Sequence, residues 1–286
     1  MSGRGPSRRC GRRLAIGKPH IREAGQGPVV ICLHAAASSS AQWRPLMERL
    51  APSFHVIAAD SFGAGRSPHW PIDRRLTLDD ELALLSPVLA RAGPRFTLIG
   101  HSYGAALALL TTLRHVDRVS SLVLYEPTLF SLLDAHTPPP NQAQGLRDVG
   151  VAAEAALVQG RRDAAARLFI DYWMGDGAFD RMPASRRQSI EATIVNMRGW
   201  TSALFDEPTP LASFAALELP VLLMVGCESP PSSQAVSRLL ARALPRLTCE
   251  WFAGLGHMGP VTHPDVVNNR IVAFLGIDSA NGGSQS

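Results

Sequence analysis

Residues 96–110 read Phe96-Thr97-Leu98-Ile99-Gly100-His101-Ser102-Tyr103-Gly104-Ala105-Ala106-Leu107-Ala108-Leu109-Leu110. The first four are apolar or β-branched, as in a buried strand, and the last six are small or leucine, as in a closely packed helix. The central Gly-x-Ser-x-Gly is common by chance, and the strand and helix on either side make it informative. So sharp a turn forces Ser102 into strained backbone geometry, which glycines on both sides accommodate because they have no Cβ to collide. The hydroxyl is thereby lifted off the strand end. The first N–H groups of the following helix point at the same spot, where an oxyanion would form.

Outward from this segment, similar apolar runs occupy residues 29–33, 55–59, 119–125, 221–225 and 247–252. They show little polar alternation, as expected for strands of a sheet covered on both faces. Helical patterns at 42–50, 77–92, 104–115 and 232–244 alternate with them, which predicts a parallel sheet with right-handed crossovers. A short leading hairpin is expected from residues 13–16 and 20–23. The alternation stops after Tyr125 and resumes at Leu219. Between them, helical patterns at 144–159, 161–173, 185–197 and 199–205 form an insertion of roughly ninety residues, far longer than an ordinary connection. Placed at a strand's carboxyl end, it is expected to cover a site there.

With 46% apolar and 18% charged residues in 286, the chain is expected to fold as a water-soluble globule. It has no run of about 18 uncharged apolar residues, so no membrane partner is expected. The net charge of +4 is concentrated at the start, where seven basic residues and no acid lie within the first 22 positions, leaving 21 basic against 24 acidic residues in the body. No nucleic-acid partner is therefore expected, and the basic leader reads as a solvated terminus in preference to a targeting or RNA-binding arm. Cys10, Cys32, Cys227 and Cys249 match neither a zinc pattern nor a redox pair. They read as small buried hydrophobes in a reducing, cytoplasmic setting, with no metal. Gly63-Ala64-Gly65 lacks the helix and distal acid of a dinucleotide site, so no cofactor is expected either.

From about Arg13 to Leu275 the chain resembles the α/β-hydrolase superfamily. The motifs that carry the resemblance are the serine turn, His34-Ala35-Ala36-Ala37 after the strand at 29–33, Asp60-Ser61-Phe62-Gly63-Ala64-Gly65-Arg66-Ser67, and Gly254-Leu255-Gly256-His257 after the last strand. The resemblance implies a mostly parallel eight-stranded sheet with helices on both faces and an inserted helical cap. The expected divisions are a basic arm at 1–12, the core at 13–127 and 217–276, the cap at 128–216 and a polar tail at 277–286. A serine at the turn points to the esterase-like branch, because haloalkane dehalogenases carry aspartate there.

The resemblance also assigns roles. Ser102 is the expected nucleophile, too weak at its free pKa to attack a carbonyl unless a base takes its proton. His257 is that base, and later the acid that protonates the leaving group. The oxyanion-hole N–H groups are expected at Tyr103 and Ala36. Ala35 stands where the family has glycine, and a positive φ there would cost about 1 kcal/mol or more.

A base histidine needs a third group to fix its tautomer. The family's usual aspartate lies in a Gly-x-x-Asp loop after the penultimate strand, but here that loop reads Gly226-Cys227-Glu228-Ser229. Glu228 is one residue out of place. Glu126 ends the strand at 119–125, where some members, haloalkane dehalogenases among them, carry their acid. Glu126 is the preferred candidate, since a carboxylate at a buried strand end needs a partner and histidine is the natural one.

Other residues have structural readings. His101 packs under the turn, His34 holds its turn by backbone hydrogen bonds, Asp60 braces its Gly-rich loop, His263 starts the last helix, and the serines at 38–40 are N-caps. Phe130, Trp173 and Met258 are expected to line an apolar pocket for a small, largely uncharged acyl or aromatic substrate. The arginines of the insertion are expected to face water. The leading reading is a serine hydrolase acting on an ester, lactone or related carbonyl through an acyl-enzyme. Carbon–carbon bond hydrolases and acyltransferases of this fold reuse the same triad. A non-hydrolytic binding protein is the competing reading, motivated by Ser229 and Ala35 at positions where the pattern is altered.

Overall fold

The computed structural model describes residues 17–70 and 74–276. Seven strands, β1 (Ile21–Ala24), β2 (Val29–Leu33), β3 (His55–Ala59), β4 (Phe96–His101), β5 (Val119–Tyr125), β6 (Val221–Gly226) and β7 (Leu247–Phe252), form one sheet in the order β1-β3-β2-β4-β5-β6-β7. All neighbours are parallel except β1, which runs antiparallel along β3 with Ile21 opposite Ala59. The expected count of eight is thus corrected to seven among the described residues. β1 takes the free edge of β3, and residues 13–16, the other half of the expected hairpin, lie outside the described residues, as do the arm at 1–12 and the tail at 277–286.

Alternate strand residues feed two apolar layers, as the period of two requires. Val30, Cys32, Val56, Ala58, Ile99 and Val123 face α1 (Arg44–Leu50) and α12 (Pro264–Phe274). Ile31, Leu33, Ile57, Leu98, Leu122 and Leu223 face the other side, with α2 (Leu78–Arg91), α3 (Tyr103–Arg114) and α10 (Pro231–Ala243). Helix α2 starts at a reciprocal capping box between Thr77 and Asp80, which satisfies backbone donors at that end. Cys32 is buried and Cys249 partly so, but Cys227 is exposed. The reading of Cys227 as a buried hydrophobe is therefore corrected: it lies in the turn beyond β6, past the end of the apolar run.

Between β5 and β6 the chain forms α4 (Ser131–His136), α5 (Gln144–Val158), α6 (Arg162–Met174), α7 (Ala178–Arg181), α8 (Ala184–Thr193) and α9 (Met197–Phe205). Their apolar faces merge with the α2/α3 layer through Phe130, Phe169, Trp173, Met197 and Trp200. None of these helices, nor any other among the described residues, is long and apolar enough to cross a membrane.

Candidate active site

β4 ends at His101 and α3 begins at Tyr103, so the reversal falls on Ser102 alone, at φ 56° and ψ −115°. The flanking glycines are explained by contact. A Cβ on Gly100 would lie 2.5 Å from the Ala105 Cα, and one on Gly104 would lie 2.2 Å from the Leu33 carbonyl oxygen. Helix α3 can leave the sheet at this steep angle only with both side chains absent. The Ser102 N–H donates to the Tyr125 carbonyl, which ties the turn to the end of the neighbouring strand.

His257 follows β7 in a glycine-rich turn, and its backbone is held by two groups from beneath. His101 Nε2 donates to the His257 carbonyl at 2.8 Å, and the Tyr125 hydroxyl donates to the Gly256 carbonyl at 2.8 Å. Gln42 completes the support: its amide NH2 donates to His101 Nδ1, and its Oε1 accepts from the Ala35 N–H. Burial holds the His101 pKa well below the usual histidine range, so the ring stays neutral and keeps this pattern.

From that anchored turn the imidazole Nε2 lies 2.9 Å from Ser102 Oγ, and Nδ1 lies 2.6 Å from Glu126 Oε2. Glu126 is fully buried at φ 46°, immediately past β5. Its other oxygen, Oε1, accepts from the Gly226 N–H at 2.6 Å and from the Ser229 hydroxyl. Three donors thus satisfy a carboxylate that would otherwise be costly to bury. Glu228, the alternative, is exposed. The geometry brings together Ser102, His257 and Glu126 and leaves Glu228 outside.

The His34 turn avoids the cost that a positive φ at Ala35 would carry. Positive φ falls on Ala37, at 54°, and Ala35 avoids it. His34 Nδ1 donates to the Ala35 carbonyl and Nε2 accepts from the Ser61 N–H, so this ring braces two loops. Asp60 accepts from the backbone N–H groups of Ser40 and Arg66, Ser39 caps the turn that follows it, and His263 stands at the N-terminal boundary of α12 without a side-chain capping bond.

Ser102, Tyr103, Ala36, Phe130, Trp173, His257 and Met258 all line one cavity, with about 750 Å³ of space free of protein atoms, its open mouth included. The Trp173 indole stacks on the His257 ring, with centroids 4.0 Å apart and planes at 27°. The expectation that the insertion's arginines face water fails at Arg186, which is half-buried and lines this cavity from α8. Thr128 lines it too, with a buried hydroxyl that has no hydrogen-bond partner. Sequence reasoning missed both. Thr128, two residues past Glu126, could have been found by carrying the strand-end logic further, but nothing local separates Arg186 from Arg187. Below the turn, Glu81 accepts from the Tyr103 hydroxyl and the Phe62 N–H, and burial pushes its pKa up to about 7. Among the described residues no group of three or more potential metal ligands converges.

A family model described as alpha/beta hydrolase fold matches residues 28–264. The chain belongs to the α/β-hydrolase family. It is 26% identical over 260 residues to the (E)-2-((N-methylformamido)methylene)succinate hydrolase of Acinetobacter baylyi, covering 90% of this chain and 93% of that one. It is 32% identical over 274 residues to the pimeloyl-[acyl-carrier protein] methyl ester esterase of Vibrio vulnificus, covering 90% and 98%. Among solved structures, an α/β hydrolase from Sphaerobacter thermophilus superposes with a TM-score of 0.68 at 27% identity, over 90% of this chain and 96% of that one. In this α/β hydrolase a serine, Ser229, stands in the loop after β6 and a glutamate, Glu126, follows β5.

Proposed function

We propose that this α/β hydrolase is a carboxylesterase-type serine hydrolase that cleaves an ester, lactone or related carbonyl bond of a small, largely apolar substrate. The observation that carries the reading is the continuous hydrogen-bonded chain from Ser102 Oγ through the His257 imidazole to Glu126, with its outer end opening on the cavity.

In this reading His257 Nε2 takes the Ser102 proton as Oγ attacks the substrate carbonyl, and Glu126 stabilises the imidazolium through Nδ1–H. The charge developing on the carbonyl oxygen is met by the N–H groups of Tyr103 and Ala36, the first of them at the positive end of α3. The imidazolium protonates the leaving alkoxide, giving the alcohol and an acyl-serine. Water, deprotonated by the same imidazole, then hydrolyses the acyl-serine, releases the acid and returns the proton to Ser102. No step draws on a metal or cofactor. That one relative is named a methyl ester esterase supports an ester as the first bond to test.

A fluorophosphonate probe tests the reading directly: stoichiometric labelling is expected in the wild type and none in Ser102→Ala. Well-folded wild-type protein that takes up no label would favour a non-hydrolytic binding role. A series of p-nitrophenyl esters of graded acyl length then measures the pocket by the position of its rate optimum.

A further inference from the structure

Arg186 is out of keeping with its surroundings. Apart from Arg186 itself, the cavity wall is aliphatic, methionine and aromatic carbon with a few hydroxyls and His257, and no carboxylate lines it. Other arginines of the inserted helices have partners: Arg147 with Asp134, Arg167 with Asp180, and Arg187 with the Asp180 carbonyl. Among the described residues, the Arg186 guanidinium has none, and burial, with no acid to offset it, pulls its pKa below the ordinary arginine value. It shares the cavity lining with Ala35, Ala36 and Ala37 of the His34 turn.

A half-buried guanidinium without an anion costs free energy that a partner would restore. We infer that the cavity binds a substrate with an apolar body and one carboxylate, the carboxylate paired with Arg186. Charge arithmetic favours a carboxylate over a phosphate ester. One permanently charged side chain lines the cavity, so a monoanion is neutralised while a dianion would keep an uncompensated charge in an apolar space. The planar fork of guanidinium also matches a carboxylate with two parallel hydrogen bonds, which lysine cannot reproduce. This deepens the serine-hydrolase reading by naming the substrate class of the same site.

The test separates binding from chemistry. In Ser102→Ala protein, monomethyl and dimethyl esters of succinate, glutarate and adipate are titrated by calorimetry. At the best chain length the monomethyl ester, with its free carboxylate, is expected to bind at least tenfold more tightly than the dimethyl ester. Adding Arg186→Gln is expected to bring the two to parity, and Arg186→Lys to retain part of the preference. Parity with Arg186 in place, or a preference that survives Arg186→Gln, would overturn the assignment, and so would absence of binding by every monoester. The first comparison does not depend on any arginine variant folding. Fluorophosphonate labelling of the wild type reports separately on the hydrolase reading, so either idea can fail while the other stands.

Discussion

Ser229 Oγ donates to Glu126 Oε1, the same carboxylate oxygen that accepts the Gly226 N–H, while Oε2 faces His257 Nδ1. Ser229, at the loop position where the sequence resemblance would put an aspartate, is a hydrogen-bond donor to an acid arriving from β5. The two partners are far apart in the chain, and each explains the other's identity. Aspartate at 229 would set two carboxylates against each other, and a neutral side chain at 126 would leave His257 without an orienting anion.

Glu126→Gln is therefore expected to lower kcat by about 10³–10⁴-fold, because an amide cannot hold the imidazole in the required tautomer or stabilise its charged form. Glu228→Gln, at an exposed position, is expected to leave kcat within about twofold. Steady-state kinetics on the best p-nitrophenyl ester checks both. The opposite ordering would move the acid's role to the β6–α10 loop.

Ser229→Ala removes one donor from Glu126 and leaves the other two. A hydrogen bond to a charged group is worth about 1.5–3 kcal/mol, so kcat is expected to fall roughly tenfold to a hundredfold with little change in KM. A variant with wild-type kcat would mean that the Gly226 N–H alone positions the carboxylate.

Glu81 carries a pH signature. Its folded pKa of about 7 lies above the ordinary 4.5, so between those values the folded protein holds a proton that the unfolded chain has released. Its stabilising contribution is thus complete below the lower value and declines as pH rises to the upper one, by an amount on the order of 3 kcal/mol. Melting curves of wild type and Glu81→Gln from pH 5 to 8 are expected to show the wild type losing ground to the variant as pH rises. A difference in Tm independent of pH would refute this. Since Glu81 receives the Tyr103 hydroxyl, activity is expected to change over the same interval.

Trp173 shields one face of the His257 ring. Trp173→Ala is expected to raise KM and to lower kcat about tenfold, through water admitted beside the imidazole and loss of an aromatic contact worth about 0.5–1.5 kcal/mol. Trp173→Phe is expected to recover most of the loss. Equal effects of the two substitutions would refute a role for an aromatic ring against the imidazole.

Much of the scaffold was legible because central parallel strands are buried on both faces and so announce themselves as unbroken apolar runs. Ser102 and His257 were legible for a related reason: glycines at 100, 104, 254 and 256 mark turns whose backbone demands are local. The acid was not decidable in the same way. What separates Glu126 from Glu228 is a meeting with Gly226 and Ser229, about a hundred positions from the strand that carries Glu126. Alanine at 35 signalled that the His34 turn departs from the family's shape, but not that the positive φ moves to Ala37, because the motif does not specify which residue takes the turn. Arg186 and Arg187 are adjacent on α8, a helix with one fully buried apolar residue, Ile190. Too short an apolar stripe leaves the helix phase unmarked in the sequence.

Every member of the hydrogen-bonded chain lies outside the segment from α4 to α9: Ser102 and Glu126 precede it, and His257 follows. Substitutions within that segment can therefore retune which molecules the cavity admits while the three bond-breaking side chains keep their own backbone supports.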